Sequence, residues 1–94
     1  MSQTVRDNEA LHRFELEREG EVAFASYRLS PGTITFLHTE VPPSLEGRGV
    51  GTELVLGALE DVRRRGLGVV VRCSFVGAVI ARHPEYAGLL RQAR

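Results

Sequence analysis

The sequence predicts an α/β fold in which an antiparallel meander of strands leads into a β-α-β unit with parallel strands and a short helical tail. Three observations carry this expectation. Apolar residues alternate with period 2 through the first half of the chain; a glycine-rich loop then switches the period to 3.6; and a continuous apolar run, Val69-Val70-Val71, follows the helical segment.

The elements follow in order. Residues 1–10 are polar and unpatterned, and are expected to form a flexible arm ahead of a single domain over residues 11–94. From Leu11 to Arg18, His12, Phe14 and Leu16 alternate with Arg13, Glu15 and Glu17, as in a half-buried strand. Glu19-Gly20 supplies a tight turn, Glu21 to Leu29 a second strand, and Ser30-Pro31-Gly32 a second turn. Thr33 to Val41, rich in β-branched and aromatic residues, reads as the third strand, ended by Pro42-Pro43. Val50, Leu54, Val55, Ala58, Leu59 and Val62 then fall on one helical face, predicting an amphipathic helix from Val50 to Arg65 with Gly66 just past its end. Leu67 to Cys73 reads as a buried fourth strand, Val76 to Ala81 as a short helix, and Glu85 to Gln92 as another beyond His83-Pro84. A strand, helix and strand in sequence require a right-handed crossover, so strands three and four pair in parallel.

Composition narrows the function. Ninety-four residues suit one hydrophobic core, and 43% apolar with 26% charged residues is an ordinary globular balance. Twelve basic residues, all arginine, offset twelve acidic ones, so no overall field draws nucleic acid or anionic lipid. Any anion must be caught by a local set of donors. The lone Cys73 excludes an internal disulfide, and scattered histidines give no metal-ligand spacing, so no metal is expected. The N-terminal residues lack an apolar signal segment and no run is long enough to span a bilayer, which makes a cytoplasmic location the expectation.

The loop Glu46-Gly47-Arg48-Gly49-Val50-Gly51-Thr52 is the strongest chemical signal. The first turn of a helix has backbone N–H groups without intrahelical partners, and its dipole adds positive character. Glycines let a phosphate approach that backbone closely, and Thr52 adds a hydroxyl. The same glycines also suit a plain strand-to-helix turn. Spacing removes two alternatives: there is neither G-x-G-x-x-G with a second βαβ half nor Gly-Lys-Ser/Thr.

With Gly49 and Gly51 in place between a strand and an amphipathic helix, the loop resembles the acyl-CoA pyrophosphate loop of GNAT-superfamily N-acetyltransferases. Glu46 stands where Gln or Arg is usual, and is assigned no ligand role. More closely, Val41-Pro42-Pro43-x-Leu45-Glu46-Gly47-Arg48-Gly49-Val50-Gly51, Cys73-x-Phe75-Val76 and His83-Pro84-Glu85-Tyr86 resemble the very short GNAT-like subfamily, where Glu before the glycines is usual. The similarity runs from about Phe14 to Leu90. It implies a curved mixed sheet whose parallel strands three and four splay apart, pantetheine between them, and the pyrophosphate of acetyl-CoA or CoA on the following helix. The segment that builds the acceptor pocket in longer relatives is not seen here, so that pocket is expected to be open, borrowed from a partner subunit, or absent.

The resemblance sets the cofactor-binding candidates as Val41, Gly47, Arg48, Gly49, Val50, Gly51, Thr52, Cys73 and Phe75, with His83 and Tyr86 as nucleotide-contacting or packing residues. Candidate catalytic groups are Cys73, His38 and Glu40. Cys73 matches the subfamily's cysteine and would carry acetyl, assist thiolate departure, or simply pack. His38 and Glu40 lie two apart on strand three, hence on one face, where a general base or water-relay partner belongs. The expected function is acetyl transfer from acetyl-CoA to an amine, the acceptor being a small molecule or a protein. The rival is a non-catalytic acyl-CoA-binding or sensing module, and a third reading is an interaction domain whose glycines only turn the chain.

Overall fold

The computed structural model describes residues 5–92. Five strands form one sheet in sequential order: β1 (Arg6–Asn8), β2 (Arg13–Arg18), β3 (Glu21–Ser30), β4 (Thr33–Glu40) and β5 (Gly68–Val71). β1 through β4 pair antiparallel, and β4 pairs β5 in parallel from Thr33↔Gly68 to Phe36↔Val71. Helix α1 (Val50–Arg64) makes the crossover, and α2 (Ser74–Arg82) and a 3-10 segment (Pro84–Leu89) follow β5.

Both hairpin turns follow from local chemistry. Between β2 and β3, Glu19 and Gly20 both take positive φ, 56° and 79°, the pattern of a type I′ turn that matches strand twist. Between β3 and β4, Pro31 fixes φ and Gly32 sits at φ 78°, the arrangement a type II turn uses. α1 ends where the sequence predicts: Leu67 N–H donates to Val62 C=O, Gly66 N–H to Arg63 C=O, and Gly66 has φ 71°. These are the two bonds of a Schellman cap.

The expected apolar stripe of α1 (Val50, Leu54, Val55, Ala58, Leu59 and Val62) is buried. It covers the sheet face made by Phe14, Leu16, Ala23, Ala25, Tyr27, Ile34, Phe36 and Val69. Each fully buried Leu or Val contributes roughly 1.5–3 kcal/mol of transfer free energy, so this single interface carries most of the fold's stability. α2 lies on the same face and adds Val76, Val79 and Ile80 to the shared core. The opposite face carries Arg13, Glu15, Phe24, Ser26, Arg28, Thr35 and Val70 across neighbouring strands. Among the described residues no helix covers that face.

Three expectations need correction. The arm predicted over residues 1–10 falls partly outside the described residues, at 1–4; within it, Arg6–Asn8 is the edge strand β1 and Glu9–Leu11 a 3-10 turn. Polar contacts hold this strand. Glu15, 4% exposed, accepts hydrogen bonds from Arg13 (2.7 Å), Asn8 (2.9 Å) and Arg6 (3.1 Å), while Asp7 accepts from Tyr27 Oη (2.5 Å) and Arg65 (3.0 Å). The strand predicted from Leu11 begins only at Arg13, because Leu11 closes the 3-10 turn and His12 takes a left-handed φ of 55°. The last predicted helix is a 3-10 segment, after which Leu90 bridges Val69 and Arg91 N–H donates to Val69 C=O. The return to the sheet edge directly after Leu89 leaves only a short run, which closes as 3-10 turns rather than an α-helix.

β4 contains one irregularity that orders everything at its end. Tyr27 pairs with Phe36 but Ser26 pairs with His38, so Leu37 is an extra, bulged residue. The bulge inverts the side-chain alternation. Ile34 and Phe36 face the helices before it, and Thr39 and Val41 do so after it. His38 and Glu40 therefore stand on the uncovered face, in cross-strand rows with Ser26 and Arg13, and with Phe24 and Glu15.

Candidate functional site

After β4 the chain makes a 3-10 turn at Pro43–Leu45, anchored by the fully buried Leu45. Gly47 and Gly49 both have φ 77°, and a Cβ at either would meet no atom within 4 Å. They serve a backbone conformation closed to most residues, in open space. Gly51 serves a different purpose. It is helical, and a Cβ there would lie 2.8 Å from Phe75 Cζ and 3.2 Å from Val41 Cγ2. Glycine at 51 is what lets α1 approach β4 and the start of α2.

The first helical hydrogen bond runs from Glu53 N–H to Gly49 C=O (3.0 Å), and no side chain caps the helix. The N–H groups of Val50, Gly51 and Thr52 thus precede the ladder and are available to an anion. They open on a cavity of about 420 Å³ lined by Thr39, Val41, Leu45, Glu46, Gly47, Gly49, Val50, Gly51, Thr52 and Phe75. Glu53, the acidic residue of the first helical turn, is held in a two-oxygen ion pair by Arg18, both contacts 3.0 Å, while Glu46 lines the cavity itself.

The same cavity reaches a fork in the sheet. Arg72 N–H donates to Phe36 C=O (2.9 Å), and regular β4–β5 pairing ends there. Beyond it, Thr39 on β4 and Cys73 ahead of α2 converge, with Thr39 Oγ1 3.4 Å from Cys73 Sγ. Cys73 is 8% exposed and is the N-cap residue of α2 rather than the end of a strand, because β5 stops at Val71.

His38 Nε2 and Glu40 Oε2 are 3.0 Å apart, so the pair expected on one face is formed, with both side chains well exposed. Phe24 meets the imidazole edge to face at 6.4 Å, and the Arg13 guanidinium lies over the Phe24 ring at 4.4 Å. This braced pair sits across the sheet from the glycine loop.

The structure thus brings Val41, Gly47, Gly49, Val50, Gly51, Thr52 and Phe75 around one cavity, with Cys73 at its edge through Thr39. Three candidates stand apart. The Arg48 side chain turns back to an ion pair with Glu19, whose carboxyl is held below its ordinary value chiefly by that hydrogen bond. His83 caps α2 and faces Glu85 at 3.8 Å. Tyr86 is 6% exposed and donates to Glu60 (2.7 Å) on α1, a bond that raises its own pKa. Glu46, assigned no ligand role from the sequence, lines the cavity, as do Thr39 and Leu45, which are not among the sequence candidates. Thr39 was hidden because plain alternation draws attention to His38 and Glu40, and nothing in the sequence marks the bulge. Among the described residues no three His, Cys, Asp or Glu side chains are grouped to hold a metal, and no helix is long and apolar enough to cross a membrane.

A mixed sheet with a forked parallel pair, and a glycine-turned helix N-terminus opening into that fork, defines a GNAT-like acyltransferase fold. A family model described as GCN5-related N-acetyl-transferase matches residues 13–89, and the chain belongs to that family. Acyl-CoA-dependent acetyl transfer is the general reaction this membership assigns.

Proposed function

We propose that the chain binds acetyl-CoA through the glycine loop and transfers its acetyl group to an amine. One observation supports this most: the uncapped N–H groups of Val50 to Thr52 and the fork-facing residues Thr39 and Val41 share one cavity. In this reading the pyrophosphate lies on the α1 N-terminus, pantetheine runs along Val41 and Phe75, and the thioester reaches the fork beside Thr39 and Cys73. CoA supplies the activated acyl group; the chain orients it and moves protons.

The amine enters from the uncovered face, where His38 and Glu40 stand. An alkylammonium with pKa near ~10.4 must lose a proton before attack. One ammonium proton leaves to solvent before attack, and the His38 imidazole, oriented by Glu40, takes the second as the N–C bond forms. The C–S bond then breaks, the departing thiolate receives a proton from the Cys73–Thr39 pair, and exchange with solvent restores Cys73 and His38, so each turnover releases one proton. Direct transfer is favoured over an acetyl-cysteine because Cys73 has Thr39 as its side-chain partner and, among the described residues, no base within hydrogen-bond reach, whereas a covalent nucleophile needs one.

Calorimetry with acetyl-CoA and a screen of amines for CoA release test the reading. Intact mass after incubation with acetyl-CoA should show no adduct on Cys73. Cys73→Ala should keep acetyl-CoA affinity and lose about 10²–10⁴-fold in kcat, the scale of a lost proton donor. An acetyl adduct on the wild type that is absent from Cys73→Ala would replace direct transfer with a two-step route. Tight CoA binding with no acetylated amine would favour the sensing module.

A further inference from the structure

The uncovered face holds a second concavity, of about 780 Å³, on the other side of the fork from the glycine loop. Its walls include Arg28, Arg72 and Arg91, with Ser30, Thr33 and Thr35, and among the described residues no acidic one. The floor is a cross-strand row in which Arg28 pairs with Thr35 and Thr35 with Val70. Arg72 places the concavity at the chemistry, since its own N–H closes the fork and Cys73 follows it.

Charge makes this cavity unusual for the chain. Positive and negative residues balance overall, and the described arginines outside this cavity are paired with carboxylates, Arg82 excepted. Among the described residues Arg28, Arg72 and Arg91 have no such partner, yet they share one concave surface. Arg91 is also fixed in place: its Nη1 donates to the carbonyls of Gly88, Leu89 and Leu90, and its stem crosses Gly68, where a Cβ would lie 2.6 Å from Arg91 Cγ. Guanidinium groups converging without internal counter-ions recognise carboxylate or phosphate, often by paired N–H donors. The volume is that of a small-molecule site, roughly 300–1,000 Å³.

We propose that this cavity anchors the acceptor, which is a small amine bearing a carboxylate or phosphate group. The assignment rests on the acetyl-transfer reading. The anionic group sits among Arg28, Arg72 and the Thr35 hydroxyl, and the amine projects along β4 toward the fork and His38. Donor and acceptor thus meet from opposite faces of the sheet.

Amide chemical-shift titration of the chain saturated with CoA tests it, using O-phosphoethanolamine against ethanolamine, which differ in the phosphate alone. The phosphate compound should give saturable shifts at Thr33, Thr35, Val70 and Arg72. Its apparent affinity should fall about tenfold or more in Arg72→Gln, the scale of one lost charge-assisted contact, with partial rescue by Arg72→Lys. Acetylation should favour O-phosphoethanolamine over ethanolamine in kcat/KM, and Arg28→Gln should shrink that preference. Equal shifts with both amines, or shifts confined to Gly47–Thr52, would overturn the proposal. Saturation at the cavity with no acetylated product would uphold the anion site and count against the transfer reading instead.

Discussion

The two faces of the sheet at the fork differ in almost every physical respect. On one, α1 and α2 cover an apolar surface, and a glycine loop offers backbone N–H groups to the adjoining cavity. On the other, Arg13, Phe24, His38 and Glu40 stand in contact on a surface that no described helix covers. The contrast teaches that a small domain can draw its stability from one side of a sheet. The other side is then free to carry charge, which a buried face tolerates only when every group is paired.

Substitutions break this contrast in graded steps. Leu59→Asp, placing a charge in the fully buried stripe, should cost about 3–5 kcal/mol and leave little folded protein in a chemical denaturation experiment. Leu37→Asp, at the bulge on a position 39% exposed, should change stability by less than about 1 kcal/mol. Gly49→Val comes next. A β-branched residue at φ 77° costs roughly 1–3 kcal/mol in backbone strain, and the loop should lose CoA affinity by about 100-fold while circular dichroism stays native.

Acid should then separate the edge strand from the core. Burial works to raise the Glu15 pKa, but hydrogen bonds from Arg13 and Asn8 and the charges of Arg13 and Arg6 outweigh it, so the net shift is downward from 4.5. A depressed carboxyl stabilises the fold above its ordinary value and loses that contribution as pH falls through the folded value. Protection factors from hydrogen exchange at Arg6–Asn8 should fall below pH 4.5, and Glu15→Gln should weaken that acid dependence. Tyr86→Phe belongs with Leu37→Asp at the small end. Losing the bond to Glu60 should cost about 0.5–1.5 kcal/mol by thermal melting, with CoA affinity unchanged, because Tyr86 packs on α1 away from the loop.

The legible parts of the molecule are those governed by apolar periodicity. The α1 stripe, the parallel crossover and the two hairpin turns follow from spacing and from Gly or Pro at particular places. β1 was invisible because its anchors are Glu15, Asn8, Arg6 and Asp7, and a periodicity of apolar residues says nothing about polar side chains that satisfy one another across strands. The glycine loop was legible as a unit, although its glycines divide between positive φ at 47 and 49 and close packing at 51. Cys73 was placed beside the fork by resemblance, whereas Thr39, its partner, needed the bulge to be known. The arginine cavity had no linear signature at all. Arg28, Arg72 and Arg91 lie far apart in sequence and converge only through strand pairing and the return of the chain end to β5.

The bulge at Leu37 has a consequence for how this site can change over time. It acts as a phase shift: His38 and Thr39 are consecutive in sequence but address opposite sides of the sheet. In the proposed reaction they therefore serve different molecules, one the incoming amine and the other the thioester. Selection can vary even-numbered positions at the strand end to meet a new acceptor while odd-numbered positions keep the donor in place. Removing Leu37 would collapse that independence, since a strand without the extra residue would present His38 and Glu40 to the thioester side and turn Thr39 away from Cys73.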